Sequence, residues 1–410
     1  MTQDFYAFNL ATEKIADLEI NLLRRKLRLT KTPCDTTVTV GERELKAFCS
    51  NDYLGLANHP ELINALSEGA QLFGAGSGAS HLISGHSVAH ELLEEKLSFF
   101  QSTHIPNARA LFFGTGYLAN LTAITGLSGL AEVGQAHIYS ARLNHASIID
   151  GVRLASTQTK AIVTLFDHQE LETLKEVLKK DAQPLKLIVL DGVFSMDGDT
   201  APVRELVQIA EEYDALLVID DAHGFGVLGE YGHGILEQFN IRSERLIYIG
   251  TLGKAAGISG AFICGPNHFI EWLVQKGRPY IYSTATPPAI AHALLKSLEI
   301  IESEDGQRRR KQVNHLIQIW REEMQFSCWE KLNSITPIQP VILGSNGAAL
   351  AAAKLLDEAG YWIPAIRPPT VPVGSARLRI TFSANHSTED LRALINTLKV
   401  IEAQVMPGAQ

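Results

Sequence analysis

The sequence predicts an α/β fold, with a mostly parallel seven-stranded sheet covered by helices and a smaller α+β C-terminal domain. Three observations carry this. Six apolar runs (Ala110 to Phe113, His137 to Tyr139, Ala161 to Leu165, Leu187 to Leu190, Leu216 to Ile219 and Leu246 to Ile249) are short and continuous, as strands buried on both faces require. Helical stretches at Leu118 to Leu130, His145 to Ala155, Glu170 to Lys180 and Val203 to Tyr213 separate most of them, the alternation that builds a parallel sheet. A seventh run, Ala261 to Cys264, follows too closely for a crossover helix and is expected to be antiparallel.

The remaining elements follow in order. Leu10 to Arg28 reads as a helix ending in the basic cluster Arg24, Arg25, Lys26, Arg28. Thr37 to Val40 and Leu45 to Phe48 flank Gly41 as a hairpin, and Pro60 opens a helix to Phe73. After Pro287-Pro288 a helix runs over Ala289 to Glu302 and a charged one over Gln307 to Met324. Apolar stretches Thr336 to Leu343, Tyr361 to Ile366 and Ala376 to Thr381, with helices Asn346 to Ala359 and Thr388 to Gln404, make the smaller domain. The expected division is an arm over 1–48, a large domain over 49–288 and a small one over 289–410.

The composition excludes several functions. The chain has 410 residues and a net charge of −9, with no basic run longer than Arg308 to Lys311, so neither nucleic acid nor a membrane surface is an expected partner. No apolar run approaches a membrane span, no secretory signal is evident, and the four cysteines form no CxxC pair. A cytoplasmic protein without disulfides or structural zinc is expected.

One lysine, Lys254, stands among Gly253, Gly257 and Gly260 just beyond an apolar strand. It is not a P-loop lysine, because Ala255 follows it and Tyr248 takes the place of the first glycine. Gly74, Gly76 and Ala79 match a dinucleotide fingerprint, but a helix rather than a strand precedes them. The alternative for Lys254 is a Schiff-base lysine that carries pyridoxal 5'-phosphate (PLP).

That cofactor needs partners, and ligands of such sheets sit at the carboxyl ends of the strands. Those ends offer Gly114-Thr-Gly-Tyr117 opening a helix suited to a phosphate, His145 to stack on a ring, Ser195, Asp220 and His223, and Thr251 with Lys254. Each alone has an ordinary structural explanation. Together they supply a lysine, a carboxylate for the pyridine nitrogen, a donor near the phenolic oxygen, a stacking ring and a phosphate cup. Asp220, Asp221 and His223 lack the further ligands that a metal site would need.

Asn51-Asp-Tyr-Leu-Gly55, Gly74-Ala-Gly-Ser-Gly78, Ser84-Gly85, Asn144-His-Ala-Ser147, Gly192 to Asp199, Asp220-Asp-Ala-His-Gly224, Gly253-Lys254 and Arg377-Leu-Arg379 resemble the α-oxoamine synthases. These are fold-type I PLP enzymes that condense an amino acid with an acyl thioester and release CO2. The resemblance implies that Lys254 is the Schiff-base lysine, Asp220 holds the pyridine nitrogen, His223 the phenolic oxygen, and His145 stacks on the ring. It gives Gly116, Tyr117, Ser195 and Thr251 to the cofactor and its phosphate, and Asn51 and Arg367 to the amino-acid carboxylate. Arg24 and Thr370 line the acyl path. Arg24 is chosen because its basic cluster has no acidic neighbour within a helical turn and Arg367 is already committed. Gly74 to Ser80 and Tyr282 to Thr284, including Ser283, are expected to reach a neighbour's phosphate site, implying a homodimer with shared active sites.

Ile366 to Pro372 and Ile281 to Thr284 are most similar to the members that join L-alanine to a pimeloyl thioester, carried on acyl-carrier protein or CoA. The competing readings are a sister enzyme using glycine and acetyl-CoA, an aminotransferase, and a PLP-holding protein without catalysis. Ala255 and Ala256 depart from the family, which often has glycine there, and Asn144 stands where serine is frequent.

Overall fold

The computed structural model describes residues 6–405. Its chain divides into two compact units. One holds Asn51–Ser195 and Asp199–Val313, and the other holds the chain up to Ser50, Met196–Gly198 and everything from Asn314. The large unit of this division runs to Val313, past the boundary expected at 288. Pro288 is the first residue of a helix, Pro288–Glu302, rather than part of a linker. That helix packs on Pro60–Phe73 so closely that a Cβ on Gly69 would lie 2.9 Å from the Cα of Ala289.

The first strands are β1 (Thr37–Val40) and β2 (Arg43–Ala47), an antiparallel hairpin as expected. The large unit then contributes β3 (Ala108–Phe113), β4 (Ala136–Ala141), β5 (Ile162–Phe166), β6 (Leu185–Asp191), β7 (Ala215–Asp220), β8 (Leu246–Thr251) and β9 (Ala261–Pro266). They form one seven-stranded sheet in the order β3-β9-β8-β7-β6-β4-β5. Only β9 is antiparallel to its neighbours, as its short connection predicts. Leu187 and Val189 join one core cluster with Ala123, Ile124 and Ile148, while Ile188 and Leu190 are equally buried on the opposite face. This two-sided burial is why the central strands read as unbroken apolar runs.

The other unit adds β10 (Glu330–Lys331), β11 (Ile338–Gly344), β12 (Tyr361–Trp362), β13 (Ala365–Ile366) and β14 (Ala376–Thr381). β10, β11, β14 and β13 form an antiparallel sheet, and β12 instead pairs parallel with β2. The single strand expected over Tyr361 to Ile366 is thus two. Pro364 lies between them and cannot donate to a ladder. Met196–Gly198 belongs here because Arg377 binds the Met196 carbonyl at 2.9 Å and the Asp197 carboxylate, while Ser334 and Thr336 donate to the Gly198 carbonyl.

The N-terminal helix is shorter than expected. It spans Tyr6–Ile20, and Leu22 then adopts a left-handed φ of 57°, which turns the basic residues 24–28 out of the helix. None of its residues is buried. Among the described residues no helix is long and apolar enough to cross a membrane.

His386 shows what burial costs in this unit. It stacks on Phe48 at 4.0 Å, bonds the Ala47 carbonyl through Nε2, and accepts the Ser383 N–H at Nδ1. Burial, the largest cause, pushes its pKa down to about 4. A depressed histidine stays neutral in the fold while the unfolded chain protonates, so its contribution is complete above about pH 6.5 and is lost as pH falls towards about 4. Through that window the group should remove up to about 1.4 kcal/mol of stability per pH unit. Chemical denaturation at stepped pH should show a shallower acid slope for His386→Gln, and an unchanged slope would exclude the assignment.

Candidate active site

The carboxyl ends of β6, β7 and β8 carry Asp191, Asp220 and Thr251. Asp191 and Asp220 are register partners on adjacent strands, and both are buried. Each is met by donors. The Asp220 carboxylate takes the Asn120 Nδ2 at 2.6 Å and the Ala222 N–H at 3.0 Å. Asp191 takes the His145 N–H at 2.7 Å, and its own N–H goes to Asn144 Oδ1 at 3.0 Å. Burial first, and then the negative charge of Asp220, push Asp191 well above the ordinary carboxylate range. Both causes favour the protonated form of Asp191.

His145 caps the helix Ala146–Thr159, and its Nδ1 contacts Ser147 Oγ at 2.7 Å. Ser147 Oγ also receives Asn120 Nδ2 at 2.9 Å, so Asn120 bridges Asp220 to the His145 cap. Burial holds His145 below its usual range; Asp220 opposes this shift and Lys254 reinforces it. The other side of the site is a second chain of contacts. Lys254 Nζ lies 2.9 Å from His223 Nε2, and His223 Nδ1 lies 2.6 Å from the Tyr53 hydroxyl, which donates to Asn51 Oδ1 at 3.1 Å. Thr251 Oγ1 donates to the Ala222 carbonyl at 3.3 Å. Gly116 opens its helix directly against that threonine, and a Cβ there would lie 2.7 Å from Thr251 Cγ2.

Lys254, His223, Asp220, His145, Thr251, Gly116 and Asn51 thus all belong to the large unit at one set of strand ends. Tyr117 follows Gly116, with its half-exposed hydroxyl bonded to the Asp150 carboxylate. Ser195 lies in the turn closed by the Phe194 N–H on Asp199. Thr284 pairs with Ser80, and Ala285 bonds back to Ala79, so the two segments expected to face a neighbour are joined to each other. Ala255 and Ala256 are buried, and Ser297 donates to the Ala256 carbonyl, which ties the chain after Lys254 to the core.

Arg24, Arg367 and Thr370 belong to the smaller unit. The expectation that Arg24 has no acidic neighbour is corrected, since its guanidinium pairs with Glu19 at 2.9 Å once the chain leaves the helix. Arg25 is the cation that reaches Thr370, at 3.4 Å. Arg367 donates to the Leu22 carbonyl, and its buried Nε has no partner. Arg25, Arg367 and Thr370, but not Arg24, line a cleft of about 290 Å³ with Lys26 and Ile366.

Sequence reasoning missed Asn120, Asp191, Tyr53 and Arg25. Asn120 and Tyr53 carry no motif signal of their own, although Tyr53 lies inside the matched Asn51 to Gly55 stretch. Asp191 was legible as a strand-end aspartate like Asp220. Asn144, first read as a passive replacement, stitches β4 to β6 through Ser140 Oγ and the Val189 carbonyl. Asp221 does structural work, accepting the Ile235 N–H and the Tyr248 hydroxyl, and burial raises its pKa to about 7.

The residues present fit PLP. A buried carboxylate, a neighbouring lysine, a glycine-opened helix and an imidazole cap converge, and Asn120 Oδ1 is buried without a partner beside them. The family described as aminotransferase class I and II matches residues 44–398. The 8-amino-7-oxononanoate synthase of Janthinobacterium sp. (strain Marseille) is 52% identical over 96% of this chain and 98% of its own. That of Polaromonas naphthalenivorans (strain CJ2) is 53% identical over 94% and 95%. Among solved structures, Sphingomonas wittichii serine palmitoyltransferase superposes with a TM-score of 0.86 at 28% identity, covering 98% of this chain and 99% of that one. The 8-amino-7-oxononanoate synthase of Francisella tularensis gives 0.72 at 28% identity, covering 88% and 98%.

If Asn120 is the donor that makes Asp220 tolerable in the interior, Asn120→Ala should cost about 1–3 kcal/mol of stability, the penalty of a buried acceptor left without its donor. Urea denaturation at neutral pH measures this, and a midpoint equal to that of the parent would refute it.

Proposed function

We propose, for a chain that belongs to the class I and II aminotransferase family and within it to the 8-amino-7-oxononanoate synthases, that it condenses L-alanine with a pimeloyl thioester. The products are 8-amino-7-oxononanoate, CO2 and the free thiol carrier, a step towards biotin. The observation that carries the reading is the convergence of Lys254, His223, Asp220 and His145 at the ends of β7 and β8 and the cap beside them. When bound, PLP supplies the electron sink for the alanine carbon that loses its proton. Lys254 Nζ holds the cofactor, Asp220 its ring nitrogen, His223 its phenolic oxygen and His145 its face. Gly116, Tyr117, Ser195 and Thr251 surround its phosphate with Ser283 and Thr284.

The chain's own residues supply positioning and proton transfer. Lys254 Nζ would take the Cα proton of alanine and return one to the product, and the 2.9 Å contact with His223 Nε2 orients it. The Asp220 carboxylate accepts from Asn120 Nδ2 and the Ala222 N–H, beside an Asp191 whose burial favours its protonated form. The resemblance of their motifs gives Asn51 and Arg367 to the amino-acid carboxylate. Arg24 and Thr370 serve the acyl chain, with Arg25 added by its contact to Thr370. The working unit is a homodimer, in which the joined segments around Ser80 and Thr284 serve the site of the second copy.

Mass spectrometry of the product from alanine and a pimeloyl thioester tests the reaction, and better turnover of glycine with acetyl-CoA would overturn it. Lys254→Ala should lose turnover by several orders of magnitude, since the lysine serves twice. Arg25→Ala should raise the thioester KM about tenfold, the scale of one charge-assisted hydrogen bond, and leave alanine binding intact. A change confined to alanine would reverse the division of roles.

A further inference from the structure

Within the large unit, Ser80 is followed by a single π-helical turn, His81–Gly85, and then by the helix Val88–Gln101. Single π turns recur at functional sites because they re-aim side chains. Here the turn brings three imidazoles together. His81, His86 and His90 each offer a nitrogen within 4.8 Å of the other two. The backbone holds this arrangement tightly, since a Cβ on Gly85 would lie 2.1 Å from the Ala79 carbonyl oxygen.

The second nitrogens of two of these rings are already engaged. His86 Nε2 faces the Glu91 carboxylate at 3.0 Å, and His90 Nε2 faces the Thr286 carbonyl at 2.8 Å. Both acceptors require N–H at Nε2, which leaves the lone pair on Nδ1 in each ring. This is the outer arrangement of metal-ligating histidines, where a carboxylate or backbone carbonyl fixes the ring and leaves the other nitrogen to the ion. The Nδ1 atoms of His81 and His86 lie 2.9 Å apart, and tetrahedral zinc holds its nitrogen ligands about 3.3 Å apart. His90 Nδ1 now accepts the Ser87 N–H and also lies 3.0 Å from the Ser87 hydroxyl, and an ion would displace both contacts. His81 is oriented by stacking on Tyr280 at 4.7 Å. Glu94 adds a second carboxylate on the far side of His86.

We propose that His81, His86 and His90 form a binding site for one divalent transition ion of the zinc class, with Glu91 and the Thr286 carbonyl as the outer partners of its ligands. Imidazole donors select zinc, cobalt or nickel over magnesium and calcium. His86 is only half-buried in the single chain. A bound ion would tie the π turn to the helix and, through His90, to the segment at Thr286. The simpler alternative is that the His81–His86 contact is only a hydrogen bond between two rings.

Titration of the tag-free holoenzyme with Zn²⁺ and with Co²⁺ separates the two. One ion per chain should bind with micromolar or tighter affinity, and Co²⁺ should develop visible absorption bands. His81→Gln and His86→Gln should each weaken binding at least tenfold, whereas His268→Gln on an exposed surface should not. Retention of bound PLP absorbance checks that each variant is folded. Equal affinity in the parent and in both variants overturns the site. Anomalous diffraction from a Zn²⁺-soaked crystal of the parent needs no variant. A peak among the three rings supports the site, and a peak elsewhere or none overturns it.

Discussion

Two carboxylates that face each other across neighbouring strands set the terms for everything around them. Asp191 and Asp220 share a register position in the middle of the sheet, where two negative charges without water are unaffordable. The fold resolves the conflict by giving them different surroundings. Asp191 is driven towards its neutral form, and Asp220 is surrounded by the Asn120 amide and a backbone N–H. Asn144 and the His145 backbone then position β4 and its following helix against Asp191. The surroundings of Asp220 therefore depend on the strand beside it as much as on its own residue.

The sheet explains why such a site forms here. Parallel strands deliver all their carboxyl ends to one edge, and each end is followed by a loop that can carry a polar side chain without disturbing the core. β6, β7 and β8 use that freedom for Asp191, Asp220 and Thr251, while β9 returns antiparallel and closes the chain beyond Lys254. His223, three residues after Asp220, reaches across to Tyr53 from the start of the unit. The result is a site assembled from segments as far apart in sequence as Asn51 and Lys254.

Much of this was legible before the fold was known, for a definite reason. Short unbroken apolar runs mark strands, and their number and single reversal follow from run length and spacing, although β5 at the sheet edge leaves Ile162, Val163 and Leu165 exposed instead of buried on both faces. The strand-end residues His145, Asp220, His223, Thr251 and Lys254 were readable because position on such a sheet is itself a functional signal. What failed was anything set by non-local geometry. Pro364 split an apolar stretch into β12 and β13, which join different sheets, and Leu22 turned the chain out of a helix that its composition favoured. Arg24 seemed unopposed because helical spacing was assumed, whereas the real turn brings Glu19 to it. Asn120 could not be identified because its partner, Asp220, lies 100 residues away.

The contact between Gly116 and Thr251 links two positions that sequence keeps far apart. The space a side chain would need at 116 is filled by the threonine methyl, whose hydroxyl is anchored to Ala222. The two sites therefore share one fixed volume. Drift in this enzyme lineage is constrained jointly here: a larger residue at 116 becomes tolerable only after a smaller one, such as serine, has appeared at 251. Position 116 cannot gain a side chain on its own, so the order in which such replacements arise is set by packing rather than by chance.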